Sequence, residues 1–157
     1  MNVRTLLVPA LLCLAAGLHA QDHAAAAKAL VKDAVAFGKA NGLPALLKEV
    51  NNGQGKYHVQ SGDDLYVFVY DDKGTCIAIG FQGSLVGVNR INTKDPDGKF
   101  FIQEIIKTGL SKSGGWVDYK YPNPKTGKVM QKTSYVESLD GKIVGCGIYK
   151  IAAHRLT

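Results

Sequence analysis

From Gln21 to Ala40 the apolar positions recur with a helical period: Leu30, Ala34 and Phe37 form one stripe, with Val31, Val35 and Gly38 beside it. That spacing predicts a helix with one packed face. Asn41-Gly42 interrupts the pattern as a left-handed C-cap would. Pro44 fits the first turn of a second helix, whose Leu43, Leu46, Leu47 and Val50 fall at i, i+3, i+4 and i+7. The period then changes. Leu65–Asp71 (LYVFVYD) is apolar on both faces and predicts a central strand covered from both sides. Asp72-Lys73-Gly74 predicts a hairpin turn, and Thr75–Gly80 a returning strand.

Gly80–Lys94 has little periodicity and predicts a long loop with a short helical piece. Asp95 is placed as an N-cap with Pro96 at the first helical position, which predicts a third helix burying Ile102, Ile106 and Leu110 beside Phe101 and Ile105. Ser113-Gly114-Gly115 stops it. Trp116–Tyr121, Lys128–Ser138 and Lys142–Tyr149 predict three further strands, the last pair joined at Asp140-Gly141. The order helix, helix, two strands, helix, three strands predicts an α+β domain on a five-stranded antiparallel sheet.

The first 20 residues stand apart from this domain. Arg4 precedes an apolar run of 13 residues, Leu6–Leu18, and Ala20 sits just before polar Gln21. This is the pattern of a cleaved secretory signal. The run falls short of the roughly 20 residues that cross a bilayer, and no later segment is apolar and long enough to span one. Residues 1–20 are therefore expected to be a signal peptide and residues 21–157 one exported domain, periplasmic or secreted. The whole chain of 157 residues carries 19 basic and 13 acidic residues, for a net charge of +6. The lysines are scattered without a run of five like charges, which argues against nucleic acid as a partner.

Catalytic and metal-binding motifs are missing: no HExxH, CxxC, CxxCH, Walker loop or GxSxG occurs. The mature histidines His23, His58 and His154 lie in separate regions without ligand spacing. No cofactor and no enzymatic activity are expected. The informative residues are polar groups on strand faces. Alternation puts Met130, Lys132, Ser134 and Val136 on one face of their strand, and Val129, Gln131, Thr133 and Tyr135 on the other. If the Met130 face is the core side, Lys132 points into it, and a buried ammonium is strongly unfavourable unless an anion pairs with it. The alternatives are that Lys132 snorkels to the rim or that the other face is buried. Tyr119 and Tyr121 share a face of the preceding strand and offer either apolar walls with hydroxyl tips or plain sheet packing. In the loop, Arg90 with neighbouring Asn89 could clamp a carboxylate or lie in solvent.

Several segments carry a family likeness: NNGQGKY and DDLYVFVYDDKGT near Asn51–Thr75, DPDGKFF, GGWVDYKYPNPKTGK, KTSYV and the closing GCGIYK. Together they resemble the single Cache domain of type 2, a PAS-like sensor module that bacteria place outside the cytoplasmic membrane. The resemblance implies a pocket on one face of the sheet, closed by the loop before Asp95 and by the hairpin Pro122–Gly127. It implies a small organic anion as ligand, a short-chain carboxylate held by Lys132, Tyr119, Tyr121, Arg90 and Asn89. A lysine like Lys132 recurs in that strand of the family, and Leu85–Asn89 resembles the family's loop pattern. Ile79, however, stands where many relatives carry a histidine. The expected partner is a membrane receptor or histidine kinase, because the chain ends at Thr157 without an output region of its own. The rival reading is a ligand-free interaction module docking on an envelope receptor. A PAS-like sheet also places Cys76 and Cys146 on the two strands flanking a common central one. That separation, about 10 Å, is too wide for a disulfide, so both are expected to be small buried residues.

Overall fold

The computed structural model describes residues 12–60 and 63–150, with side chains from residue 21 onward. The expected leader over residues 1–20 therefore lies largely outside the described residues, as does His154. Helix α1 (Leu12–Asn41) ends where Gly42, at φ +89°, donates its N–H to the Gly38 carbonyl at 2.8 Å. The positive φ is one that glycine adopts without strain. Helix α2 (Leu43–Val50) follows at once, with proline in its first turn. Strands β1 (Val67–Tyr70), β2 (Cys76–Ile79), β3 (Gly115–Pro122), β4 (Val129–Leu139) and β5 (Lys142–Tyr149) form one sheet in the order β2-β1-β5-β4-β3. Neighbouring strands all pair antiparallel. A 3₁₀ turn (Gly83–Leu85) sits in the long loop after β2, and helix α3 (Phe101–Gly109) precedes β3.

The period-2 alternation of β1 divides the interior into two layers. Val67 and Val69 face α1 and α2, where Val31, Ala34, Leu46 and Val50 are fully buried beside Tyr135, Val144 and Ile148. Phe68 and Tyr70 face the opposite way, toward α3, and pack with Ile102, Ile105 and Val136. The first layer is mainly aliphatic. The second is rich in aromatic rings, and it is the layer that holds the hollow described below. Cys76 and Cys146 are buried, unpaired thiols on β2 and β5, the two neighbours of β1, as the topology requires.

Two expectations about the third helix are corrected. Asp95 does not cap it: the helix starts at Phe101, because Gly98 at φ +83° closes a separate turn first. The Asp95 carboxylate instead accepts the N–H groups of Asp97 (2.9 Å) and Lys99 (3.0 Å) through one oxygen and that of Lys120 on β3 (3.0 Å) through the other. Leu110 is the C-cap and is 47% exposed, so the buried stripe ends at Ile106 and Gly109. Among the described residues no helix is long and apolar enough to cross a membrane.

Candidate functional site

Lys132 occupies the α3 face of β4, at the centre of the aromatic layer, and is only 1% exposed. The alternation of the strand therefore resolves with its amine inside the protein. Its Nζ donates to the Tyr66 hydroxyl at 2.7 Å and lies 4.2 Å from the centre of that ring. The rings of Tyr149 and Tyr121 are 5.0 and 5.2 Å away. Lys132 has no ion-pair partner among the described residues. Burial accordingly pulls its pKa down from the ordinary lysine value to about 7, with slight opposition from Cys146 and Asp64. Room for this side chain comes from β5, whose α3 face carries Gly145 and Gly147. A Cβ on Gly147 would come within 2.5 Å of Lys132 Cε. Glycine in a strand interior here marks a close approach by another chain segment.

The hollow beside Lys132 is lined by residues that the strand period brings together: Tyr66, Phe68 and Tyr70 from the β1 run, Tyr119 and Tyr121 from β3, with Phe101 of α3 above them. Phe101 and Tyr119 stack at 4.7 Å between ring centres. The Tyr119 hydroxyl is paired with Ser134 Oγ at 2.8 Å, and the Tyr149 hydroxyl donates to the Pro122 carbonyl at 2.6 Å. Burial raises the pKa of Tyr66 and Tyr119 well above the usual phenol value. The phenols therefore remain neutral hydroxyls near neutral pH.

Arg90 reaches in from the loop and separates this hollow from a wider cleft. Its Nη1 donates to the hydroxyls of Tyr70 (2.9 Å) and Tyr121 (3.1 Å), and the Tyr121 hydroxyl donates onward to Gln82 Oε1 at 3.0 Å. The guanidinium lies 5.5 Å from the ring centres of both Phe101 and Tyr121. Arg90, Phe101 and Tyr121 line both spaces. Inside the tie the cavity volume is about 10 Å³, room for roughly one water molecule. Outside it the cleft holds about 260 Å³, with Lys94 and Lys120 on its walls.

Of the residues singled out from the sequence, Lys132, Tyr119, Tyr121 and Arg90 are thus brought to one hollow. Asn89 is not. It is exposed, and its amide donates to the Lys73 carbonyl (2.9 Å) and Thr75 Oγ1 (3.3 Å), while its Oδ1 accepts from the Ile91 N–H at 3.1 Å. Its side chain holds the loop against the β1–β2 turn. Ile79 contributes an apolar wall. Sequence reasoning missed Tyr66 and Tyr70, although their spacing in LYVFVY shows that they share a face with Phe68. Asp95, Asp97, His23 and His58 stand in no such cluster, and no group of three His, Cys, Asp or Glu among the described residues could hold a metal.

The five-stranded antiparallel sheet with α1 and α2 on one face and α3 on the other is the PAS-like arrangement of Cache sensor domains. The Single Cache domain 2 family profile matches residues 16–151, and the chain belongs to that family. It is 41% identical over 90 residues to the sensor histidine kinase MctS of Rhizobium johnstonii, a match covering 56% of this chain but only 19% of the kinase. The chain therefore spans a minor part of that relative's length. A crystal structure of a methyl-accepting chemotaxis protein from Vibrio parahaemolyticus superposes with TM-score 0.71 at 21% identity, covering 87% of this chain and 95% of that one. A Cache chemosensory domain described as recognising carboxylic acids superposes with TM-score 0.62 at 24% identity, over 89% of this chain and 97% of its own. At these identities the structural matches establish the fold.

Proposed function

We propose that this Cache domain is a binding and sensing module for a short-chain carboxylate such as acetate, propionate or pyruvate, exported from the cytoplasm and reporting to a receptor or histidine kinase. The observation that carries the reading is Lys132: a buried amine with one hydrogen bond, no carboxylate partner and a hollow beside it. An anion there would complete what the protein leaves incomplete, because a buried cation is stabilised by a paired, hydrogen-bonded counter-charge. Tyrosine hydroxyls and Arg90 surround the same space, and aromatic walls suit a short apolar tail. The structurally related Cache domain that recognises carboxylic acids supports the same chemistry. No catalytic step is proposed, since nothing in the hollow pairs a nucleophile with a base.

The test is a thermal-shift and calorimetric screen of the purified domain with acetate, propionate, pyruvate and longer acids. At about a hundredfold excess over the dissociation constant, binding should stabilise the fold by about 2.7 kcal/mol. A folded domain that no acid stabilises would overturn the reading. The small size of the closed hollow favours one alternative, a ligand-free module that docks on an envelope receptor. That module would give no thermal shift with any acid and would still bind the receptor. Export is tested by mass spectrometry of the protein recovered from cells, which should show a new N-terminus near Gln21.

A further inference from the structure

The structure points to more than an anion site. The groups facing Lys132 come from every element around it, and none supplies a negative charge. From the β1 run come Tyr66 and Phe68, and from β3 come Tyr119 and Tyr121. From β5 comes the ring of Tyr149; the Cys146 thiol, which burial pushes up to about 12, lies on the opposite face of the sheet, in the first layer. Helix α3 adds only apolar residues to the hollow, Phe101, Ile102 and Ile105. The loop contributes Arg90, a second cation that lines the same hollow. The acid that acts most on Lys132 is Asp64, in the segment before β1, whose carboxylate accepts from Asn123 Nδ2 at 3.3 Å. Ring faces favour an ammonium, but five of them at 4.2 to 6.0 Å do not replace the hydration shell it loses when the side chain is 99% covered.

We propose that the site takes up one proton with each carboxylate: Lys132 is an uncharged amine in the closed hollow and becomes an ammonium when an anion lies against it. The domain then reads an acid's anion and the proton concentration jointly, and responds to a given amount of acid more strongly as its surroundings acidify. This rests on the carboxylate reading above and adds its regulation. The proton comes from solvent and stays on Nζ for as long as the anion is bound. The ligand supplies none, since a carboxyl group that titrates near pH 4 to 5 is fully ionised at pH 6.5 and above. Among the residues described as lining the hollow, Lys132 is the one that burial brings near neutrality, at about 7, while the phenols stay protonated.

The linkage has a definite sign. A bound carboxylate raises the lysine's affinity for its proton, so affinity is level below about pH 7 and weakens by about tenfold per pH unit above it, until the bound-state value is reached. The experiment is isothermal calorimetry of the wild-type domain with sodium acetate, propionate and pyruvate at pH 6.5, 7.5 and 8.5. Each titration is run in phosphate and in Tris, whose different ionisation heats reveal proton transfer. Uptake of about one proton per ligand at pH 8.5 and about a quarter at pH 6.5 is expected. His58→Gln serves as a control and should leave the uptake unchanged; its loss in that variant would assign the proton elsewhere and overturn the proposal. Equal affinity at all three pH values without buffer-dependent heat would overturn it too, leaving the carboxylate reading intact. If no acid binds at any pH, both fall.

Discussion

The burial of Lys132 makes the stability of the fold itself depend on pH. In the unfolded chain this lysine titrates near its ordinary value of about 10.4, whereas in the folded protein it does so at about 7. Between those values the unfolded state binds more protons, so stability rises with pH across that window. The slope at its steepest is about 1.4 kcal/mol per unit, for one proton. Urea unfolding at pH 7, 8 and 9 should show stability rising more steeply with pH in the wild type than in Lys132→Met, where the buried thiols Cys76 and Cys146 alone make it fall toward pH 9. At pH 7 the same variant should be as stable as the wild type or more so, because it removes an amine that has no counter-ion. It should also lose carboxylate binding altogether. A variant that still bound acetate with unchanged affinity would show that Lys132 is not the anchor.

At the scale of elements, β5 and the turn before α3 carry tests of how the hollow is built. Gly147→Ala would place a methyl group against Lys132 Cε and Ser134 Oγ. Overpacking of this kind costs about 1–3 kcal/mol, and a displaced Lys132 would weaken acid binding as well. A denaturant midpoint that does not move would mean the lysine has room to spare. Asp95→Ala removes the acceptor of three backbone N–H groups, one of them on β3. Since hydrogen bonds to a charged group contribute about 1.5–3 kcal/mol, this variant should lose stability on that order. The layout of helices and strands was legible from the sequence because period 2 and period 3.6 are imposed by which face is buried. Lys132 was legible for the same reason, once the buried face of β4 was known. The start of α3 was not, because Asp-Pro-Asp-Gly satisfies the rules for a helix cap and for a turn alike, and only the left-handed Gly98 decides between them. Asn89 was misplaced for a related reason: a loop has no period, so adjacency to Arg90 says nothing about side-chain direction. Tyr66 and Tyr70 were overlooked because an aromatic strand reads as ordinary core unless a cation is known to sit among the rings.

Across the whole molecule the two faces of the sheet have different duties. The α1–α2 face is closed by aliphatic packing, while the other is closed by α3 and by a loop tied down through Gln82, Tyr121, Arg90 and Tyr70. A cavity of about 10 Å³ cannot accept a carboxylate without displacement of something, and the tie stands between the hollow and the wide outer cleft. On the proposed carboxylate reading, opening of this tie is the expected step that admits ligand. Gln82 tests this because it is exposed and its side-chain oxygen accepts from the Tyr121 hydroxyl at the outer end of the tie. In Gln82→Ala the closed state loses one hydrogen bond whether or not ligand is inside, so the equilibrium constant for binding should change by less than about twofold. Opening becomes easier in both directions by roughly the net value of one hydrogen bond, about 1 kcal/mol, which corresponds to about fivefold in rate. Stopped-flow fluorescence with acetate, reported by the tyrosines around the hollow, should show association and dissociation accelerating together. Rates that stay at their wild-type values would place the entrance elsewhere, whereas weaker affinity from faster dissociation alone would make Gln82 a grip on the bound acid and not a latch.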